Sequence, residues 1–204
     1  MLSLRTIEPH TLELLKALMQ EPALCELRLV GGTALALQYG HRSSIDLDLF
    51  GKIDIDAYEL QEILSKHGMF RVENETKIIH QYIIDNIKVD VVNYPFEWIT
   101  PMIEDEGVRL ASPMDIAAMK VNAIEGRGTK KDFIDMYMLL QHYSLEEILG
   151  FYQQKYPNHS VFRALRSLTY FEDAEDQFMP RMFVDDTWED IKQFIVNKVK
   201  TIKL

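Results

Sequence analysis

Apolar and polar positions follow two different periods along this chain, and the change falls near residue 110. Leu12, Leu15, Leu18 and Met19 recur at helical spacing behind Pro9, which predicts a helix over 9–20. Leu27–Val30 is a short apolar run closed by Gly31-Gly32, so it predicts a strand. Thr33–Tyr39 predicts a short helix, with Gly40 as its stop. Residues 45–50 alternate: Ile45, Leu47 and Leu49 fall on one side, Asp46, Asp48 and Phe50 on the other. Residues 56–67 predict a helix with Leu60, Ile63 and Leu64 inward. The β-rich stretches 76–84 and 87–94 are joined by Asp85-Asn86, a hairpin signal. On the second of them Ile87, Val89 and Val91 share one face, Lys88 and Asp90 the other.

From Ser112 onward the period is helical. Ser112-Pro113 with Asp115 starts a helix that runs to about Glu125, and Gly126-Arg127-Gly128 breaks it. Thr129 with Asp132 has capping-box spacing for a second helix to about Tyr143. Ser144 with Glu147 starts a third, residues 159–171 a fourth, and Thr187 with Asp190 a fifth. The expected architecture is α+β. A small mixed sheet flanked by helices occupies residues 1–110, and a helical domain packed on it occupies 111–204.

Composition sharpens this picture. The chain has 204 residues, is 47% hydrophobic and 26% charged, and so reads as a globular protein able to bury a core without disulfides. The single cysteine, Cys25, is expected as a small buried hydrophobe, and with no signal peptide and no long apolar run the expected location is cytoplasmic, away from membranes. The formal charge is −10, which argues against a broad nucleic-acid or anionic-membrane grip. That charge is uneven. Residues 1–115 hold 19 acids and 10 bases, and residues 116–204 hold 13 and 12. Lys120, Arg127, Lys130 and Lys131 cluster against Glu125 alone over 120–131. Lys130 and Lys131 are expected in solvent. Eight acids crowd residues 171–190, and Lys192, Lys198, Lys200 and Lys203 follow with no acid after 190.

The candidate chemistry lies in Gly31-Gly32-Thr33 and Asp46-Leu47-Asp48. Glycines at a strand end let backbone N–H groups approach a ligand, and a helix N-terminus favours anions, so a phosphate suits Gly31, Gly32 and Thr33. Asp46 and Asp48, two apart on a strand, are placed to share a divalent cation. If the strand of Asp90 lies beside theirs, three carboxylates converge next to a phosphate cradle, the composition of a metal-dependent phosphoryl or nucleotidyl transfer site. A haloacid-dehalogenase phosphatase would place its acidic pair near the N-terminus with Thr or Val after it, and here Leu49-Phe50 follow.

Gly31-Gly32-Thr33, the spacing to Asp46-x-Asp48 and the later Asp90 resemble the polymerase β-type nucleotidyltransferases. Within them the chain is similar to the AbiEii/AbiGii toxins of abortive-infection toxin–antitoxin systems. The segments that carry this likeness lie within about 26–140. They include His41–Phe50, Lys88-Val89-Asp90, Asp115–Lys120 and Lys130–Asp135, and none is seen in 145–204. The resemblance implies that Asp46, Asp48 and Asp90 hold Mg²⁺, two ions in the nucleotide complex, with Asp90 also activating the acceptor. It implies that Gly31, Gly32 and Thr33 cradle the triphosphate and that Lys120 binds its oxygens. Arg42 and Ser44 would meet the nucleotide, and Asp132 would serve the acceptor side or orient a basic residue. The implied reaction moves an NMP from an NTP to an acceptor hydroxyl on RNA, tRNA among the candidates, or on protein. The implied partner is a cognate antitoxin encoded nearby.

Two other readings stay open. One is a nucleotide-binding regulator or inactive relative. The other is a small-molecule, antibiotic-modifying nucleotidyltransferase, whose cationic substrate the acids at 171–190 would attract.

Overall fold

The computed structural model describes residues 1–202, so Lys203 lies outside the described residues. The chain divides into two compact units. One comprises Met1–Pro95 with Met102–Ala111, and the other Phe96–Pro101 with the chain from Ser112 onward.

The first unit is a seven-stranded mixed sheet with three α-helices. Its strands are β1 (Arg28–Leu29), β2 (Leu47–Gly51), β3 (Phe70–Glu75), β4 (Ile79–Ile84), β5 (Ile87–Asn93), β6 (Ile103–Asp105) and β7 (Val108–Leu110). Their order across the sheet is β3-β4-β5-β2-β1-β7-β6. The helices are α1 (Pro9–Gln20), α2 (Gly31–Tyr39) and α3 (Ala57–Leu64). The β4–β5 hairpin turns at Asp85-Asn86, both with positive φ (49° and 66°), the twist that a two-residue hairpin needs. β2 runs parallel to β5 and antiparallel to β1. Leu47, Leu49, Val89 and Val91 are buried on the core face, and α2 is buried almost throughout at Ala34–Leu37. Burial of each large aliphatic side chain contributes about 1.5–3 kcal/mol. Arg109 ties α1 to the sheet by donating to the carbonyls of Met19 (2.8 Å), Leu24 and Leu27 (both 2.9 Å).

The second unit is helical: α4 (Pro113–Gly126), α5 (Lys130–His142), α6 (Leu145–Lys155), α7 (Val161–Ser167), α8 (Glu172–Glu175) and α9 (Trp188–Thr201). The expected caps form at Ser112, Thr129, Ser144 and Thr187, each accepting from the backbone N–H three residues on. α4 packs on α5, α6 and α7, and α5 on α9. The 96–101 segment joins this unit through a buried acid. Asp115 accepts from Ile99 N–H (2.9 Å) and Lys155 Nζ (2.8 Å), and Lys155 also donates to the Glu97 carbonyl.

Several expectations are corrected. Strand β2 begins at Leu47 and Ile45 is exposed, because residues 44–46 are held elsewhere: Ser44 N–H donates to the Thr6 carbonyl, and Thr33 Oγ1 to that of Asp46. The two glycines form the first turn of α2 instead of preceding it. Cys25 is exposed, since the turn after Pro22–Leu24 points Leu24 and Leu27 inward and leaves it outside. Lys130 is buried, its Nζ donating to the Glu175 carbonyl at 2.8 Å. Helix α7 ends at Ser167, short of the predicted 171.

Candidate active site

Strand alternation builds the site in the first unit. On β2 and β5 the apolar residues face the core, so Asp48, Lys88 and Asp90 emerge together on the opposite face. The parallel register places Asp48 directly against Asp90. Asp46 immediately precedes β2 and is fixed by its own carbonyl, which accepts from the Thr33 hydroxyl. Thr33 and Ser44 share a further hydrogen bond of 2.8 Å. Sequence residues 13 apart thereby meet at the start of α2.

Gly31 closes the other side. Its φ is +66°, and a Cβ there would lie 2.5 Å from Asp48 Oδ2. The backbone therefore touches the carboxylate, an approach only glycine permits. Gly32, buried, continues the first turn of α2, whose leading N–H groups have no partner within the helix.

Lys88 is the residue the motif reading passed over. Its Nζ donates to Asp90 Oδ2 at 2.6 Å, and Gln81 Nε2 donates to the same oxygen at 3.1 Å. Partial burial disfavours the Lys88 ammonium. Asp90, with Asp48 and Asp46 behind it, outweighs that burial and holds the pKa above the ordinary lysine value. The ammonium thus sits in the field of all three carboxylates. The signal was available, because Lys88 and Asp90 are two apart on one strand face.

Asp90 Oδ1 is buried and has no hydrogen-bond partner. A buried lone carboxylate oxygen is costly unless something positive reaches it. Three carboxylates with one orphaned oxygen are a donor set that fits Mg²⁺, a hard cation that takes oxygen ligands. Among the described residues no three His, Cys, Asp or Glu side chains already stand arranged around a metal position. Lys88 supplies the local positive charge instead.

Arg42 is not presented to a ligand: it is buried and its Nη1 donates to the Ser43 carbonyl at 2.9 Å. It shapes the loop ahead of Asp46 from within.

Lys120 and Asp132 lie in the helical unit, where α4 and α5 bring them together. Lys120 Nζ contacts Asp132 Oδ1 at 2.9 Å and Asp135 Oδ2 at 2.6 Å, all three side chains being buried. Desolvation works against the Asp132 carboxylate. Lys120, the Thr129 hydroxyl and Arg127 overcome it and hold its pKa below the usual aspartate value. Asp132 therefore completes its capping box and pairs with Lys120 at once. Asp135, one helical turn on, is the partner that spacing could have flagged.

Comparison with known proteins places the chain by family and fold. The family described as nucleotidyl transferase AbiEii toxin, type IV TA system, matches residues 13–201, so the likeness extends through the C-terminal helices where no resemblance was expected. An uncharacterized protein of Aquifex aeolicus is 34% identical over 182 residues, covering 84% of this chain and 85% of its own length. Among solved structures, JHP933 from Helicobacter pylori has a TM-score of 0.57 at 19% identity, covering 96% of this chain and 92% of that one. MenT4, a nucleotidyltransferase toxin of Mycobacterium tuberculosis, has a TM-score of 0.56 at 14% identity, covering 95% and 84%. The antibiotic-resistance factor ANT(2'')-Ia has 0.54 at 19%, covering 70% and 87%. At these identities the solved structures establish the nucleotidyltransferase fold.

Proposed function

The chain belongs to the AbiEii nucleotidyl transferase toxin family of type IV toxin–antitoxin systems, and we propose that it transfers a nucleoside monophosphate from an NTP to an acceptor hydroxyl on RNA or protein. We further propose that it acts in the cytoplasm as a toxin, held in check by a cognate antitoxin. No helix among the described residues is long and apolar enough to cross a membrane.

The observation that carries this reading is the register of Asp48 against Asp90, with Gly31 backbone in contact with Asp48. Mg²⁺, two ions in the nucleotide complex, would be held by Asp46, Asp48 and Asp90 and would neutralise charge on the phosphates. The N–H groups of the Gly31-Gly32 turn bind triphosphate oxygens. The Thr33 hydroxyl, already engaged by the Asp46 carbonyl and Ser44, positions the 44–46 loop. The Asp90 carboxylate takes the proton of the acceptor hydroxyl as the acceptor oxygen bonds to the α-phosphorus. The bond from that phosphorus to the α–β bridging oxygen breaks, and pyrophosphate leaves. Lys120 and Asp132 act as a paired unit, Lys120 keeping Asp132 ionised.

The antibiotic-modifying reading is weaker than the sequence suggested, because acids of the 171–190 run are engaged within the unit. Glu175 accepts from Lys192 (2.6 Å) and Trp188 (3.0 Å), and Asp190 caps α9.

The test is incubation with Mg²⁺ and each α-labelled NTP, offering total RNA and total protein as acceptors. Label that is lost in Asp46→Asn and Asp48→Asn supports the reading. No label with any NTP and either acceptor class overturns it. Co-expression with the adjacent open reading frame tests the toxin role: relief of growth arrest supports it.

A further inference from the structure

The helical unit carries a second feature that the transfer site does not use. A cavity of about 400 Å³ opens where the Gly126–Gly128 loop, α7 and Tyr170 meet. Arg127 lines it from the loop, and Phe162, Arg163 and Arg166 line it from α7. An adjoining cavity of about 510 Å³ shares Glu125, Gly126 and Arg163 and continues past Asn158 and Ser160. The two cavities thus share one wall, at Glu125, Gly126 and Arg163.

Three of the nine arginines of a chain with net charge −10 converge there. Arg127 donates to Asp132 through Nε alone, at 3.4 Å, and Arg163 meets Glu125 through Nη2, so each keeps further guanidinium N–H groups for a ligand. The side chains of Arg127 and Arg163 are 69% and 72% exposed, and Arg166 has no ion-pair partner among the described residues. Arg163 is pre-oriented by Glu125 at 3.0 Å, and Glu125 is itself held by the Tyr152 hydroxyl. Phe162 and Tyr170 remain 57% and 50% exposed, and the Tyr170 hydroxyl donates to Glu172 at 3.1 Å, which fixes its ring. Flat guanidinium forks recognise phosphate oxygens in pairs, and exposed aromatic rings stack on bases. The three guanidiniums outnumber Glu125 and Asp173, the two carboxylates that also line the cavity, so the lining favours an anion over a cation. Two adjoining cavities, where a free nucleotide would need only one, suit a strand.

We propose that this groove binds single-stranded nucleic acid, with phosphates on Arg127, Arg163 and Arg166 and bases on Phe162 and Tyr170. That the bound strand then serves as acceptor rests on the transfer reading above; the binding does not.

The test is fluorescence anisotropy of a fluorescein-labelled oligouridylate and its deoxy counterpart, titrated with the full chain without NTP. Arg166→Gln, exposed and unpaired, should weaken binding about tenfold, and the Phe162→Ala/Tyr170→Ala pair by tenfold or more. Unchanged melting of both variants shows that folding is not the cause. Wild-type affinity in both variants, or no binding by the wild type, overturns the proposal. Displacement of the oligonucleotide by AMP at equal molar concentration also overturns it in favour of a mononucleotide pocket. Asp48→Asn separates the two readings. If it still binds the strand while wild type labels nothing, transfer fails and the groove stands. If Arg166→Gln leaves both binding and labelling intact, the groove fails and transfer stands.

Discussion

Gly31 and Lys88 decide what the three carboxylates can do. At Gly31 any side chain meets two obstacles, a φ of +66° and Asp48 Oδ2 at 2.5 Å. Gly31→Ala should therefore cost about 1–2 kcal/mol of stability through backbone strain. It should reduce nucleotide transfer more than this alone explains, by displacing Asp48. Urea unfolding and labelling rate, read on the same preparation, check both. Retained full activity would sink the idea that Asp48 needs this contact. Lys88 supplies the positive charge at the carboxylates when no cation is bound. Lys88→Met leaves Asp90 Oδ2 with Gln81 alone and exposes Asp46, Asp48 and Asp90 to mutual repulsion. The variant should melt below wild type in EDTA, and Mg²⁺ should raise its melting temperature more than it raises that of wild type. Equal Mg²⁺-induced shifts in the two proteins would show that Lys88 and the cation do not share a role.

Between elements, the α4–α5 contact rests on the Lys120–Asp132–Asp135 group. Removing the ammonium in Lys120→Met leaves two buried carboxylates without it, at about 3–5 kcal/mol. The triple variant Lys120→Met/Asp132→Asn/Asp135→Asn should recover part of that loss in urea unfolding, because the uncompensated charge goes with the partner. The same group gives acid sensitivity. The folded-state pKa of Asp132 is lowered from 3.8, so its contribution is present above that value and is lost as pH falls through the depressed one. Stability should drop below about pH 4, with a shallower drop in Asp132→Asn, read by melting temperature against pH. The caps that frame these helices were legible because they are local: Ser112, Thr129, Ser144 and Thr187 each find their partner three residues away. β3 was not, since Phe70-Arg71-Val72-Glu73 alternates over only four residues and Phe70–Glu75 bury no apolar face. The Asp115–Lys155 pair was hidden for another reason: 40 residues separate the partners, and only the packing of α4 on α6 joins them.

For the whole molecule the net charge of −10 sets the terms on which it meets a polyanion. The candidate carboxylates were readable from sequence because Asp48 and Asp90 sit on short strands with clear alternation and Asp46 immediately precedes the first of them. The arginine groove was not, because Arg127 reaches Arg163 and Arg166 only through the packing of α4 against α7. A broad basic face would contact six to ten phosphates, and log K against log salt for a single strand would then fall with a slope of about −4 to −7. The groove offers three clustered guanidiniums, which at about −0.7 per phosphate give a slope near −2. The chain's remaining acid excess repels the strand elsewhere and adds no released counterions. Oligouridylate titrated across a KCl series should therefore show a slope of about −2 in the wild type. In Arg163→Gln/Arg166→Gln it should fall toward about −0.7, since only Arg127 is left. A slope steeper than about −4 would mean that the strand is held by a surface other than this groove, and an unchanged slope in the double variant would remove these arginines from the contact.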